Sequence, residues 1–131
     1  DRFYCSSRGH KLLSGETARS ELVFAAGKGT EGELLYDIEV IDPGTGSRIP
    51  LPVGMSVAIE PAGFQVSPCT DYRSVFTVQT YESIIPPGDY QFVIYCRLNG
   101  EVKGSLVISI EVDSLKMSDI ETEMSQIRNG E

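Results

Sequence analysis

"PPGDYQFVIYC", residues 86–96, decides how the rest of the chain is read. Two prolines and a glycine turn the chain, and the side chains then alternate. Tyr90, Phe92, Ile94 and Cys96 share one parity, while Gln91, Val93, Tyr95 and Arg97 share the other. A period of two belongs to a strand with one buried face and one wetter face. On this reading Cys96 and Tyr90 point into a core, whereas Val93 and Tyr95 point outward.

Five more segments repeat the pattern. Leu22, Phe24 and Ala26 alternate in "ARSELVFAA", and Leu34, Tyr36, Ile38 and Val40 alternate against Asp37 and Glu39. Met55, Val57 and Ile59 follow, then Phe76 and Val78, and finally Leu106, Ile108, Ile110 and Val112. Short strands at this spacing, bounded by Gly, Pro, Asn and Asp, predict an antiparallel sandwich. A further strand near "RFYCSS" would bring the number to seven. "DPGTG" (42–46) reads as a turn, "LNGE" (98–101) as an Asn-Gly hairpin, and "IPLPVG" (49–54) as a crossover too rich in proline for a central strand.

The end of the chain changes period. Met117, Ile120, Met124 and Ile127 recur at helical spacing, Ser118 with Glu121 fits a capping box, and Asn129-Gly130 fits a stop. The expectation is a short helix over about 116–128, so that residues 1–113 form the sandwich and 114–131 a helix and tail. Val75, Val93, Tyr95 and Val107 are expected on exterior faces, and the Met/Ile stripe would either cover such an apolar patch or join two copies as a homodimer.

Bulk properties narrow the function classes. The chain has 131 residues, one domain's worth, with 40% apolar and 23% charged residues. A net charge of −8 argues against nucleic acid or an anionic membrane as partner. No apolar run is long enough to span a bilayer, and a start at "DRFYCSS" suggests a trimmed or mature segment.

Catalytic and metal constellations are missing from the pattern. The single histidine, His10, is expected in a polar loop and cannot complete a Cys/His zinc set, a blue-copper site or a nucleophile–base pair. "AAGKGT" (25–30) lacks the spacing of a phosphate-binding loop and reads as a glycine-rich strand connection. Asp37, Glu39 and Asp42, or Glu31 and Glu33, could offer carboxylates to calcium, but no D-x-D-x-D-G loop is present. No cofactor is expected. The three cysteines leave several arrangements open: a Cys5–Cys69 bridge, one involving Cys96, or none.

From "LSGET" to "ISIEV" the chain resembles the immunoglobulin-like or fibronectin-III-like sandwiches repeated in prokaryotic, especially archaeal, surface proteins. The resemblance is carried by "SGETARSELVF", "PVGMSVAIEPAGFQV", "YRSVFTVQT", "PPGDYQFVIYC", "NGEVKGS" and "SLVISIEV". It implies that Pro87 and Gly88 form the turn before a strand and that Tyr90 occupies a tyrosine-corner position. It also implies a non-catalytic structural, spacer or adhesion module of a larger secreted or membrane-anchored protein, with an unidentified protein partner. Two alternatives stand beside it. One is a carbohydrate-binding module using Tyr72, Tyr81 and Tyr95. The other is a cytoplasmic chaperone-like or scaffold sandwich, favoured if all three thiols are free.

Overall fold

A computed structural model of the chain describes residues 1–81 and 87–113. All six alternating segments are strands, and four shorter strands join them. In chain order these are β1 (Arg2–Cys5), β2 (Gly9–Leu13), β3 (Thr17–Ala25), β4 (Gly32–Ile41) and β5 (Arg48–Ile49). Then come β6 (Met55–Glu60), β7 (Gly63–Val66), β8 (Asp71–Thr80), β9 (Gly88–Leu98) and β10 (Glu101–Asp113). Two sheets form, one of four strands ordered β1-β3-β8-β6 and one of six ordered β2-β10-β9-β4-β5, with β7 also on β4. The architecture is an immunoglobulin-like β-sandwich.

Three expectations are corrected. Ten strands replace seven, because the amino-terminal segment splits into β1 and β2, one in each sheet, and because β5 and β7 pair with separate stretches of β4. The sheets are not wholly antiparallel either. β2 runs parallel to β10, with Ile110 beside His10. His10 is therefore on a strand rather than in a loop. The expected helix over 116–128, with Met117, Ile120, Met124 and Ile127, lies outside the described residues, as does the 114–131 tail.

The parity reading places the core. Leu22, Phe24, Leu34, Phe76, Val78, Phe92, Ile94 and Ile108 are fully buried between the sheets. Phe76 on β8 meets Phe92 on β9 edge to face, with ring centroids 5.7 Å apart, and so ties one sheet to the other. Burying an aromatic side chain of this kind contributes roughly 2–3 kcal/mol relative to leaving it in water.

Turn chemistry sets the register of the longest hairpin. Asn99 and Gly100 join β9 to β10 with φ angles of 51° and 85°, the left-handed pair that a two-residue hairpin needs. The turn pairs Leu98 with Glu101, and a β-bulge between Val102 and Gly104 then shifts the register by one residue, so that Cys96 falls opposite Gly104 and Phe92 opposite Ile108. A register slip of one residue would send the whole apolar set to solvent.

Candidate functional site: the outer face of the six-stranded sheet

Of the two residues expected inside, Cys96 is interior and Tyr90 is only half-buried. Cys96 has no solvent exposure, and burial pushes its thiol up to about 12. It pairs across the strands with Tyr36, whose phenol is raised well above its ordinary range by burial and then by the neighbouring thiol. The Tyr36 ring stacks on Phe3 of β1 at 5.7 Å. Beside it, the Ser74 hydroxyl donates to the Pro61 carbonyl at 2.6 Å. A neutral thiol in apolar surroundings is a packing group rather than a nucleophile.

Tyr90 is half-buried against the core, and burial raises its phenol. Its remaining edge lines an open groove with His10, Pro43 and Gln91. Pro87 lies at the bend before β9, and Gly88 opens the strand with a φ of 149°.

The Cys5–Cys69 bridge is corrected: all three cysteines are free thiols. Cys5 sits beside Leu22 in the ladder, while Cys69 occupies the turn before β8 and donates its N–H to the Gly27 carbonyl. Ala25 is three residue steps along β3 from Leu22, about 10 Å, before that turn begins, so the Cα atoms are beyond disulfide reach. A small polar cluster fills the switch between β1 and β2. His10 Nε2 lies 2.8 Å from Ser20 Oγ and 3.1 Å from Ser7 Oγ, and Ser20 donates to the Ser7 carbonyl. Ser20 is only 2% exposed, so this cluster locks the strand switch and offers no nucleophile to a substrate.

Three of the carboxylates considered for calcium are engaged elsewhere. Asp37 is ion-paired to Arg97 and Glu39 to Arg48, and Asp42 accepts the Gly44 N–H inside its own turn. Among the described residues no three metal-ligating side chains converge. Nor do the tyrosines considered for sugar form a row. Tyr72 and Tyr81 lie at opposite ends of β8, and Tyr95 is on the other sheet. Tyr72 accepts the Ser67 N–H and packs on Phe64.

What remains is the outer face of the six-stranded sheet. Val93 pairs with Val107 on one side and Glu39 on the other, and the next row sets Tyr95 between Asp37 and Ser105. Leu35 follows beside Arg97 and is 48% exposed, and Val107 is 44% exposed. The Tyr95 hydroxyl donates to Glu39 at 3.1 Å, and Glu39 also holds Arg48. The charged side chains are thus fixed across strands, and among the described residues the aliphatic ones between them are half-buried at Val93 and exposed at Leu35 and Val107. An apolar band framed by polar groups is the composition of a contact surface. Parity had identified Val93, Tyr95 and Val107; Leu35 was missed, because it breaks the polar parity of Asp37 and Glu39.

Comparison with known proteins agrees at the level of fold. No family model and no curated protein matches the chain. Among solved structures, domains 4 and 5 of the S-layer protein SbsC match with a TM-score of 0.55 at 12% identity, covering 86% of this chain and 51% of that one. The periplasmic chaperone SfaE matches with a TM-score of 0.53 at 8% identity, over 88% and 58% of the two chains. A family 123 glycoside hydrolase from Clostridium perfringens matches with a TM-score of 0.58 at 10% identity, but over 83% of this chain and only 23% of the enzyme. The chain spans about half the length of the S-layer chain it matches. Identities this low speak to the sandwich alone.

Proposed function

We propose that this domain is a non-catalytic protein-interaction module of a cell-surface or periplasmic protein, with residues 1–113 as the sandwich and the outer face around Val93, Tyr95 and Val107 as its contact surface. The apolar band on that face carries the reading. The similarity to S-layer and chaperone domains supports it. So does the interior, where the cysteine and tyrosine that might have done chemistry are packing groups.

The test is binding of the labelled domain to intact cells of its source. Wild-type protein should bind saturably, and the Val93→Lys/Val107→Lys double variant should lose that binding while keeping its circular dichroism spectrum. Equal binding by both proteins would remove the face from the account, and turnover in a broad hydrolase screen would remove the non-catalytic reading.

A second reading, a cytoplasmic scaffold sandwich, is favoured by one observation, the three free thiols. Quantitative thiol titration of protein isolated from its source without reductant separates the two.

A further inference from the structure

Each sheet of an open sandwich ends in strands whose outer backbone groups have no ladder partner, and natural proteins usually blunt such edges. Three sides of this molecule follow that rule. β1 leans its Phe3 against Gly104 of β10. β2 carries Lys11, ion-paired to Glu111. β5 is two residues long and is followed by Pro50 and Pro52.

β6 does not follow it. Met55–Glu60 reads Met-Ser-Val-Ala-Ile-Glu, with no charge before its last residue and no proline, and among the described residues it pairs only with β8. Tyr81 donates its N–H to the Gly54 carbonyl at 2.8 Å, so Gly54 points its backbone groups at the β8 side. The antiparallel alternation then turns Ser56, Ala58 and Glu60 toward β8, and Met55, Val57 and Ile59 toward the free edge. Met55 gives its N–H to the Pro52 carbonyl at 3.3 Å. Val57 and Ile59 are left presenting both N–H and C=O outward.

The side chains of these two residues point between the sheets, opposite Val78 and Phe76. Beside Val57 lies an open pocket of about 210 Å³ with a mostly aliphatic lining of Ile38, Val40, Ile49 and Leu51, completed by the ion-paired Glu39 and Arg48. It exists because β7 pairs with β4 only as far as Leu35 and β5 only from Val40, so neither strand covers Ile38. The edge and the pocket face the same seam. A strand laid along β6 would take the hydrogen bonds of Val57 and Ile59 and send alternate side chains into the pocket.

Resting on the interaction-module reading above, we infer that β6 is a docking edge for an extended segment of a different chain, with branched aliphatic residues at alternate positions and neutral or basic residues between them. The aliphatic lining sets the first requirement. Charge sets the second: at a net −8, with Glu60 at the end of the edge, two copies of this chain repel while a neutral or basic strand does not.

The test uses the full chain and the octapeptide Lys-Val-Thr-Ile-Lys-Val-Thr-Ile, with amide hydrogen exchange read by NMR. At about 1 mM peptide the Val57 and Ile59 amides of the wild-type chain should slow about tenfold or more, with no such change at Val93 or Val107. Val57→Lys, which points a charge into the seam, should abolish the effect, and Ala58→Lys, which points away from it, should not. The wild-type measurement decides even if Val57→Lys fails to fold. Protection on the Val93–Val107 face instead would overturn the edge while leaving the interaction-module reading standing. No protection anywhere, or concentration-dependent protection of β6 without peptide, would also overturn it.

Discussion

Asn99 closes on Gly32. Its main-chain N–H donates to the Glu33 carbonyl at 2.9 Å, its Oδ1 accepts the Glu33 N–H at 3.0 Å, and its Nδ2 donates to the Glu31 carbonyl at 3.2 Å. The tip of the β9–β10 hairpin is thereby fastened to the start of β4. A Cβ at Gly32 would collide with the Asn99 amide, and its φ of 133° is one that side-chain-bearing residues rarely adopt. Gly32→Ala should therefore lower the free energy of unfolding by about 2 kcal/mol or more in urea titrations. Asn99→Gly keeps the turn but loses two side-chain hydrogen bonds, and should cost about 1–2 kcal/mol. The double variant should cost less than the sum, because the collision disappears with the amide. Strict additivity would show that the two residues do not meet.

The three thiols should separate by reactivity. Cys69 is exposed in a turn, Cys5 is half-buried with its thiol directed at the Ser7 carbonyl, and Cys96 is fully buried. A chromogenic disulfide reagent at neutral pH should label Cys69 fastest, Cys5 more slowly, and Cys96 only after unfolding. Rapid labelling of all three in the native protein would contradict the packing around Cys96.

Alkaline pH should unfold the domain through the same interior. The Cys96 thiol sits at about 12 in the folded chain against an ordinary value near 9, and Tyr36 is also raised. A raised acid favours its neutral form in the folded state. The associated stability is fully present below the ordinary value and is lost as pH climbs toward the raised one. Unfolding free energy should hence fall between pH 9 and 12, by up to about 1.4 kcal/mol per pH unit from Cys96 alone. Cys96→Ala should be less stable at neutral pH, from the lost packing, and should show a shallower alkaline slope.

Much of this architecture was legible because burial on one face leaves a period-two record. Phe92, Ile94, Cys96, Ile108 and Ile110 all sit where parity puts them. The Asn-Gly turn was legible because only such residues enter the left-handed region cheaply. β5 and β7 left no record, since two to four residues on the rim of a sheet show no alternation to detect. The split of the first strand was equally invisible. It depends on His10 finding Ser20 across the sandwich, a contact between sheets that no local pattern encodes. Disulfide geometry failed for a related reason. Knowing which end of a strand a cysteine occupies does not say how far it lies along the neighbouring one. The outer face was partly legible: parity turns Val93, Tyr95 and Val107 outward, but that Val107 and Leu35 flank the strand of Val93 and Tyr95 is fixed only by register.

Separating stability from contact gives the last prediction. On the outer face, Glu39 accepts from both Tyr95 and Arg48 at a position where its side chain is only 20% exposed. Exposed pairs of this kind contribute about 0–1 kcal/mol, so Tyr95→Phe should change stability by less than about 1 kcal/mol and Glu39→Ala by about 1 kcal/mol. A double-mutant cycle between them should return a coupling of about 0.5–1 kcal/mol that shrinks in high salt only insofar as Arg48 contributes. Inside, Phe92→Ala removes the ring that meets Phe76 and should cost about 3–5 kcal/mol, enough to threaten folding. The outer face can thus be altered at Tyr95 or Val93 with little damage to the sandwich, whereas Phe92 cannot. If Tyr95→Phe destabilised the chain as much as Phe92→Ala, the outer face would be part of the fold's own packing and not a surface left over for recognition.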